Sequence, residues 1–505
     1  MTSKQIKSHS LWKNSLFATA FTFLGKMAGF LASLYAAKQL GATIATDIAF
    51  FVFSLTGLTA SFFQSYNASV LVPQCVRILE KDGNDAARNL LSLFATRISL
   101  LLIPITGFTL MYYQTLLLQI SQFSEESLHL HKLAILLILP ILPLAYLNDL
   151  MTHWIQIQKN FLITNFTACF HGICVFLCLW FFGPQLGAAS LALGFLSAAI
   201  CQFLWLSLHL WHSNNGLHWQ WRSKTDLTFI KQLFIPICSL QLIGCLGSWI
   251  VDYFASGLPS GQLTAFGYGR KVQELIPNLL IYPLVAALYP RLCELATYED
   301  QDLLNQRLLD MNRLLTSIVL PVSLFCAWHA KAIIRLLYFR GNFDESALQT
   351  AALTLGLLSL GTWLTGSNSI LIHSLYALQN PQVYHSLIFR ALSMTIFLGI
   401  SLFALTPMYG IDGLILSILM VHLLCLPLWG IYLRKVYFQQ NDTLIRLVHF
   451  SKVALASLVS ILLVAKTQWG VIPQFMAVIF LQVLLHLLWG SKETRLIQEQ
   501  LIKRE

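Results

Sequence analysis

The chain has 505 residues, of which 56% are hydrophobic and only 11% are charged. Soluble domains usually carry about 25% charged residues, so this composition excludes a chain of ordinary soluble domains. The net charge of +10 is spread over short loops between apolar runs, without an aromatic-basic platform, and this excludes a nucleic-acid-binding protein.

Apolar runs long enough to cross a bilayer, each of about 20 residues, recur along the whole chain. No small-residue cleavage site follows the first run, which is therefore predicted to be a retained helix and not a signal peptide. The sequence predicts an all-α integral membrane protein with about fourteen transmembrane helices, centred on residues 15–37, 48–72, 92–113, 132–155, 160–182, 186–211, 229–256, 268–290, 312–330, 348–376, 386–406, 411–433, 449–466 and 472–490.

The basic residues predict the orientation of these spans. With a cytoplasmic N-terminus, 21 of the 32 Lys and Arg residues fall in cytoplasmic segments and six fall in outside segments. This bias follows the positive-inside rule and predicts that both termini are cytoplasmic.

The chain also resembles itself at a spacing of about 217 residues, because LVPQCVRILEKD after the second span matches LYPRLCELATYED after the eighth. Each copy holds six spans, so the copies have the same orientation and are expected to form two parallel lobes around a central cavity. The predicted boundaries are an N-terminal lobe at 1–213, an amphipathic linker at 214–228, a C-terminal lobe at 229–440, and two additional helices with a cytoplasmic tail at 441–505.

Charged residues inside the spans are the candidate functional groups, because an ionisable side chain in a bilayer requires a partner or water. Lys26 lies in the middle of the first span, and the neighbouring Gly25, Ala28 and Gly29 allow a helix or ligand to approach. We therefore expect Lys26 to face the cavity; a buried structural ion pair is the alternative.

The eighth span begins with Arg270, Lys271 and Glu274, and Pro277 and Pro283 follow. Two cations at the start of a helix that contains prolines suit an anion-binding wall that bends. Anchoring at the membrane interface is the alternative explanation for Arg270.

Three acidic residues at the ends of spans are candidates for ligand binding or ion coupling. Asp47 begins the second span, Asp149 lies late in the fourth and Asp252 late in the seventh. A helix cap or a salt bridge explains Asp47 and Asp252 equally well, and Asp149 is positioned to pair with Lys159 across a short turn.

No pattern in the chain indicates an enzyme. The sequence contains no nucleotide-binding loop, no nucleophile elbow and no Cys/His spacing for a metal, and its histidines are scattered singly. We expect no catalytic residues, no cofactor and no metal, and the cysteines are interpreted as packing residues.

Four stretches resemble the MurJ/MviN family of lipid II flippases, within the multidrug/oligosaccharidyl-lipid/polysaccharide exporter superfamily. They are GKMAGFLASLYAAKQLGATIATD (25–47), VDYFASGLPSGQLTAFGYGRKVQELIP (251–277), IIRLLYFRGNFDE (333–345) and SLYALQNPQ (374–382). The resemblance extends over about 15–440.

This resemblance implies a flippase that carries an undecaprenyl-pyrophosphate-linked peptidoglycan precursor, lipid II, from the inner to the outer leaflet of a bacterial inner membrane. It also implies alternating access driven by monovalent ions or the membrane potential. By position, Lys26 replaces one family arginine, Lys271 or Arg270 corresponds to another, and Asp47 matches a family aspartate. The expected substrate-binding set is thus Lys26, Arg270, Lys271, Glu274 and Asp47, with Asp149 and Asp252 as ion-coupling candidates.

The chain departs from the family pattern at several charged positions. Ala32 and Ser33 replace an Arg-Asp pair, Thr59 or Ala60 replaces a cavity arginine, and Gln64 replaces a glutamate. Arginine can grip a phosphate with two hydrogen bonds and lysine cannot, so fewer and weaker pyrophosphate contacts are expected.

Two other functions remain open at this stage. The first is export of another lipid-linked oligosaccharide, such as an O-antigen or exopolysaccharide repeat unit, which the reduced arginine set would suit. The second is a non-transporting homologue with a degenerate cavity. A cation-drug antiporter is disfavoured because a cationic cavity repels cationic drugs.

Overall fold

The computed structural model describes residues 3–221, 228–297, 301–377, 381–438, 443–465, 467 and 469–488. Throughout these ranges the regular structure is helical. The chain divides into two compact units. Unit 1 comprises Met1–Thr264 and Arg340–Ala347, and unit 2 comprises Ala265–Phe339 and Leu348–Glu505.

The helices up to the predicted seventh span are α1 (Ser3–Leu40), α2 (Ile44–Tyr66), α3 (Val72–Asp82), α4 (Asn84–Met111), α5 (Tyr113–Ile120), α6 (Glu125–Leu130), α7 (Lys132–Ile138), α8 (Ile141–Ile157), α9 (Phe161–Phe166), α10 (Ala168–Leu186), α11 (Ala188–His212) and α12 (Thr228–Ser256). The helices that follow are α13 (Gln262–Gln273), α14 (Tyr282–Thr297), α15 (Gln301–Trp328), α16 (Ala330–Tyr338), α17 (Glu345–Ala377), α18 (Pro381–Tyr409), α19 (Ile411–Met420), α20 (Leu426–Tyr437), α21 (Thr443–Ala465) and α22 (Val471–Leu488).

Twelve helical runs among the described residues are long and apolar enough to cross a membrane. They coincide with predicted spans one to seven and nine to thirteen. The eighth predicted span is the interrupted run from α13 to α14, whose polar first turns make it less apolar than the others. The fourteenth corresponds to α22, in which Val471–Gln482 is a shorter apolar stretch. The all-helical membrane class is confirmed, and the count of fourteen is approximate.

Local sequence explains where several of these helices begin and bend. Thr43 and Thr46 form a reciprocal capping box at the start of α2, which satisfies backbone N–H groups that the helix leaves unpaired. Single π-helical turns occur at Asn67–Leu71 and at Pro277–Ile281, in the second and eighth predicted spans. A proline, Pro73 or Pro277, lies next to or at the start of each turn, and its missing N–H group removes one hydrogen bond of a regular helix.

A buried apolar cluster holds unit 1 together. It is centred on Trp154 and Tyr146 of α8, which pack with Leu90 and Leu91 of α4 and Leu206 of α11. The Tyr146 hydroxyl donates to the carbonyl of Phe94 at 3.2 Å, so its one polar group is paired in the core.

Unit 2 has its own cluster on α14, α15, α17 and α20. Leu315, Ile281, Leu375 and Leu433 are fully buried within it. Because each unit buries a separate core, each is stabilised by its own packing.

The predicted linker begins as an irregular segment that is hydrogen-bonded to α4. The Thr96 hydroxyl accepts from the backbone N–H of Gln220 at 3.0 Å, and Arg97 donates to the carbonyl of Trp221 at 3.1 Å. Residues 222–227 of the linker lie outside the described ranges. The two compact units are not the predicted lobes, so the lobe boundaries at 213, 229 and 440 stay a prediction.

Candidate functional site

Small residues on α1 allow α10 to approach its backbone closely. A Cβ on Gly25 would lie 2.6 Å from the carbonyl carbon of Ala168. A Cβ on Gly172 of α10 would overlap the backbone of Ala28. Gly25 and Ala28 therefore serve helix packing, whereas a Cβ on Gly29 would meet open space.

Lys26 lies on α1 with an exposed side chain. It makes no hydrogen bond or ion pair with any residue that the structure describes. An unpaired ammonium in a membrane span is costly unless it meets water or an anion. The geometry therefore leaves the Lys26 ammonium available to a ligand and does not support the alternative of a buried ion pair.

The cations of α13 occupy different environments. Tyr268 and Gly269 are buried, and Gly269 packs against the backbone of Ala351 on α17. Arg270 Nε lies 3.0 Å from Glu274 Oε1, an ion pair one turn apart whose side chains are about half exposed. Lys271, which is exposed, has no ion-pair partner among the described residues.

The run from α13 to α14 is broken where its sequence places a proline. Helix α13 ends at Gln273, and the π-helical turn starts at Pro277. The Asn278 side chain donates to the carbonyl of Glu274 at 2.8 Å, which pairs a carbonyl at the break. The regular α-helix thus gives way to a π-helical turn at Pro277, and Glu274 lies one residue beyond the end of α13.

Asp47 is buried and its two carboxylate oxygens are fully engaged. Oδ2 accepts from the backbone N–H of Gly261 at 2.6 Å, and Oδ1 accepts from the N–H and the hydroxyl of Thr264 at 2.7 and 2.6 Å. These donors lie at the start of α13, where a helix has unpaired N–H groups. The geometry gives Asp47 the role of a helix cap, and substrate binding by this residue stays a prediction.

The RGNFDE stretch, whose sequence resembles a family motif, closes the end of α1. The side chain of Asn342 donates to the carbonyl of Gln39 at 2.6 Å, and its backbone N–H donates to that of Lys38 at 2.9 Å. Gly341 and Gly41 both have left-handed φ angles, of 65° and 67°, and their backbones pack too closely for a side chain. This motif thus has a structural role in unit 1.

The two ion-coupling candidates have neutral or histidine partners in unit 1. Asp149 accepts from the side-chain amide of Asn67 at 2.8 Å and lies 3.4 Å from His153 Nε2. Asp252 accepts from the Ser54 hydroxyl at 2.5 Å. The expected pairing of Asp149 with Lys159 was wrong, because Asp149 is bonded to Asn67, in the π-helical turn after α2, and lies beside His153 of its own helix.

Sequence reasoning missed Arg390 as a residue of interest. Its side chain is 8% exposed on α18, and Nη2 donates to Asn368 Oδ1 at 2.7 Å. An arginine in an otherwise apolar span was the available signal. In the part of the chain that the structure describes, no group of three His, Cys, Asp or Glu side chains is placed to hold a metal.

The comparisons with known proteins agree with the fold. A profile of the family described as lipid II flippase MurJ matches residues 36–481. The probable lipid II flippase MurJ of Helicobacter pylori strain 26695 is 25% identical over 410 residues, which cover 75% of this chain and 86% of that protein. The probable lipid II flippase MurJ of Vibrio cholerae is 21% identical and covers 69% of both chains.

Solved structures show the same architecture at low identity. A lipid II flippase MurJ in an inward closed conformation matches with a TM-score of 0.79 and 16% identity, covering 96% of this chain and 100% of the other. An inward-facing multidrug resistance transporter of the MATE family matches with a TM-score of 0.65 and 13% identity, over 83% of this chain and 97% of the other.

Proposed function

Because the chain belongs to the MurJ family of lipid II flippases, we propose that it carries lipid II from the inner to the outer leaflet by alternating access. It is a multi-pass membrane transporter, and no enzymatic step is part of the proposal. The observation that carries the proposal is Lys26, an exposed cation on a candidate membrane-spanning helix that forms no ion pair with a described residue.

Lys26 and Lys271 each contribute a positive charge to the diphosphate of lipid II in this proposal. Both side chains are exposed. Arg270 is paired with Glu274. We propose that Arg270 contributes its charge to the diphosphate when this ion pair opens, because an exposed ion pair costs little energy to open. The uncharged disaccharide and the polyprenyl chain are carried by packing, since neither needs a counter-charge.

We further propose that an ion gradient or the membrane potential drives the cycle in a bacterial inner membrane with both termini cytoplasmic. A unit charge that crosses the membrane is worth about 2.3 kcal/mol per 100 mV. Asp149 is the stronger candidate for ion coupling, because its partner His153 can change its own protonation state.

One observation favours a second candidate, export of another lipid-linked oligosaccharide. Ala32 and Ser33, which replace the Arg-Asp pair common in the family, are 3% and 6% exposed. They belong to the packed face of α1, so no charged side chain substitutes for that arginine locally. A headgroup whose anionic group needs fewer arginine hydrogen bonds than a pyrophosphate would suit this arrangement.

The test is a lipid II translocation assay in cells whose own lipid II flippase is depleted. We expect the wild-type chain to restore translocation, and Lys26→Ala and Lys271→Ala each to abolish most of it. Lys38→Ala is the matched control, because Lys38 is an exposed lysine at the end of the same helix as Lys26. Failure of the wild-type chain would overturn the lipid II assignment in favour of the second candidate. Full activity of both lysine variants would still support lipid II translocation, but it would show that Lys26 and Lys271 are not the substrate-binding residues.

A further inference from the structure

Unit 1 contains a cavity of about 590 Å³, here called the N-half cavity, between α4, α8, α11 and the irregular segment 214–221. Its described lining has no Lys, Arg, Asp or Glu, and most of its side chains are apolar, among them Ile103, Leu147, Phe203 and Leu210. A cavity of this size and lining is typical of a site for an apolar ligand.

The N-half cavity begins at one end of the membrane-spanning helices and extends towards their middle. Arg88, near the start of α4, donates to the carbonyl of Asn214 at 3.2 Å, so the segment 214–221 lies at the end where α4 begins. The lining residues of α4 run from Ala95 to Ile103, which is about 12 Å at the rise of an α-helix. A ligand in the cavity therefore extends from the surface of the bilayer into its hydrocarbon.

Exposed apolar side chains form the rim of this cavity. Trp211 and Trp219, which line it, are 72% and 67% exposed, and Ile103 is 54% exposed. Trp211 is one residue from the end of the candidate span Ala188–His212. Because tryptophan is enriched at the membrane–water interface, this rim is placed where the headgroups of the bilayer lie. The cavity is therefore accessible to a lipid of the surrounding membrane.

Two hydroxyl groups in the lining lack a good hydrogen-bond acceptor. Ser99 is 5% exposed, and its Oγ has no hydrogen-bond partner among the residues that the structure describes. Ser207 Oγ lies 3.5 Å from Met151 Sδ, and a thioether is a weak acceptor. A buried hydroxyl without a partner costs free energy, so both groups favour a ligand that brings an acceptor into the apolar cavity.

The sequence repeat provides an internal comparison. A cavity of about 330 Å³ in unit 2, the C-half cavity, lies between α15, α17, α20 and α21. Eight of the fifteen lining residues of the N-half cavity have a counterpart 217 positions later that lines the C-half cavity, so the two cavities are related by the repeat. The counterpart of Ser99 is Thr316, whose hydroxyl lies 3.3 Å from the side-chain amide of Asn312. Ser99 thus differs from its counterpart in having no partner within the described part of the chain.

We propose that the N-half cavity binds a diacyl phospholipid, with one acyl chain in the cavity and its ester carbonyls accepting hydrogen bonds from Ser99 and Ser207. An ester carbonyl is the acceptor that such a lipid carries next to its chains, whereas a polyprenyl phosphate has none. The headgroup then lies beside Trp211 and Trp219, whose rings suit the polar interface. The site goes beyond the proposed function, because it holds a resident lipid and uses none of the lysines assigned to lipid II.

The test is native mass spectrometry of the full-length protein with two phosphatidylethanolamines, one with ester-linked and one with ether-linked chains. We expect the wild-type protein to bind the ester-linked lipid about fivefold more tightly, because an ether oxygen is a poorer acceptor than a carbonyl. Ser99→Ala and Ser207→Ala should each reduce this preference. Thr106→Val is the matched control and should keep it, because the buried Thr106 hydroxyl of α4 also has no partner among the described residues but does not line the cavity.

A second pair of variants leaves both serines in place. Gly216 lines the N-half cavity, and a Cβ there would meet open space, so Gly216→Phe fills part of the cavity without a backbone clash. Gly107→Phe on α4 is the matched control, because Gly107 also has open space around its Cβ and does not line the cavity. We expect binding of the ester-linked lipid to weaken about tenfold in the first variant and to be unchanged in the second.

Three results would overturn the proposal. Equal binding of the ester-linked and ether-linked lipids by the wild-type protein would show that the serines do not hold a carbonyl. Equal binding of the ester-linked lipid by Gly216→Phe and wild type would place the lipid elsewhere. Loss of undecaprenyl phosphate binding in Gly216→Phe, with phosphatidylethanolamine binding unchanged, would assign the cavity to a prenyl chain.

Thermal unfolding in detergent distinguishes each of these results from a failure of the variant to fold. None of the measurements involves lipid II translocation, so failure of the proposed function would leave the lipid result intact.

Discussion

The charged side chains of units 1 and 2 differ in their hydrogen-bond partners. In unit 1, the buried Asp47 receives three hydrogen bonds from backbone and hydroxyl donors. Asp149 accepts from Asn67 in the π-helical turn after α2, and Asp252 accepts from Ser54 of α2. In unit 2, guanidinium groups line a cavity and share one amide oxygen. The buried carboxylate of Asp47 thus serves as a helix cap, whereas two arginines of unit 2 converge on a neutral amide.

The two repeat-related cavities show the same contrast. The N-half cavity of unit 1 is lined by α4, α8, α11 and the segment 214–221, which is bonded to α4. The C-half cavity of unit 2 is lined by α15, α17, α20 (Gly430 included) and α21. The described lining of the first cavity holds no Lys, Arg, Asp or Glu, whereas that of the second holds three arginines. Four substitutions test this difference, from the largest expected effect to the smallest.

Trp154→Ala should have the largest effect, because Trp154 is fully buried and its Nε1 donates to the carbonyl of Asn215 at 3.0 Å. We expect a loss of about 3–5 kcal/mol of stability from the cavity that forms. Thermal unfolding in detergent would measure it, and limited proteolysis would show the release of the segment 214–221. If that segment stays protected, it is not tied down through Trp154.

Asp47→Ala should be next, because it leaves the N–H groups of Gly261 and Thr264 without an acceptor. Each orphaned buried donor costs about 1–3 kcal/mol. Asp85→Ala, at an exposed ion pair with Arg88, is the control and should cost about 0–1 kcal/mol. Loss of translocation at unchanged stability would instead make Asp47 a ligand-binding carboxylate and remove the contrast between the units.

Thr96→Val should have a moderate effect on unit 1. Its hydroxyl accepts from Gln220 N–H and donates to the carbonyl of Ser92, so its loss frees the segment at one point. We expect a cost of about 0.5–1.5 kcal/mol in thermal unfolding. Thr59→Val, where an exposed hydroxyl bonds only its own helix, should be nearly neutral. Equal effects in both variants would show that the hydroxyl of Thr96 does not hold the segment.

Gly430→Leu should have the smallest effect on stability and a favourable one. Leucine in place of glycine within a helix gains about 1 kcal/mol from backbone entropy alone. Gly399→Leu should gain a similar amount, and the difference between the two thermal midpoints isolates the contribution of the C-half cavity. A large destabilisation of Gly430→Leu alone would show that the C-half cavity is too tightly packed to accept the leucine side chain.

Much of the fold was predictable, because hydropathy is a local property of each run of residues. The helical membrane class, twelve of the fourteen spans and the break near Pro277 follow from composition and spacing. The eighth span was harder to delimit, because the cations that made it a candidate site also reduce its hydropathy. The flippase family was predictable from short motifs, although RGNFDE proved to cap α1.

The candidate site was only partly predictable. Lys26 and Lys271 are exposed and form no ion pair within 4.0 Å with a described residue, and their role in substrate binding stays a prediction. The sequence offered substrate binding, a cap or a salt bridge for Asp47, and only the structure shows its donors, up to 217 residues away in the chain. The arginines of the C-half cavity were counted as loop or span-end charges that orient the helices, and that role does not reveal a shared cavity.

By itself, then, the amino-acid sequence determined that this protein is a helical transporter of the lipid II flippase family with cations in its spans. Tertiary structure decided which charges are paired, because pairing depends on helices that are distant in sequence and adjacent in space. It assigned Asp47 to a helix cap, left Lys26 without a partner among the described residues, and gathered three arginines from α15, α20 and α21 around one cavity.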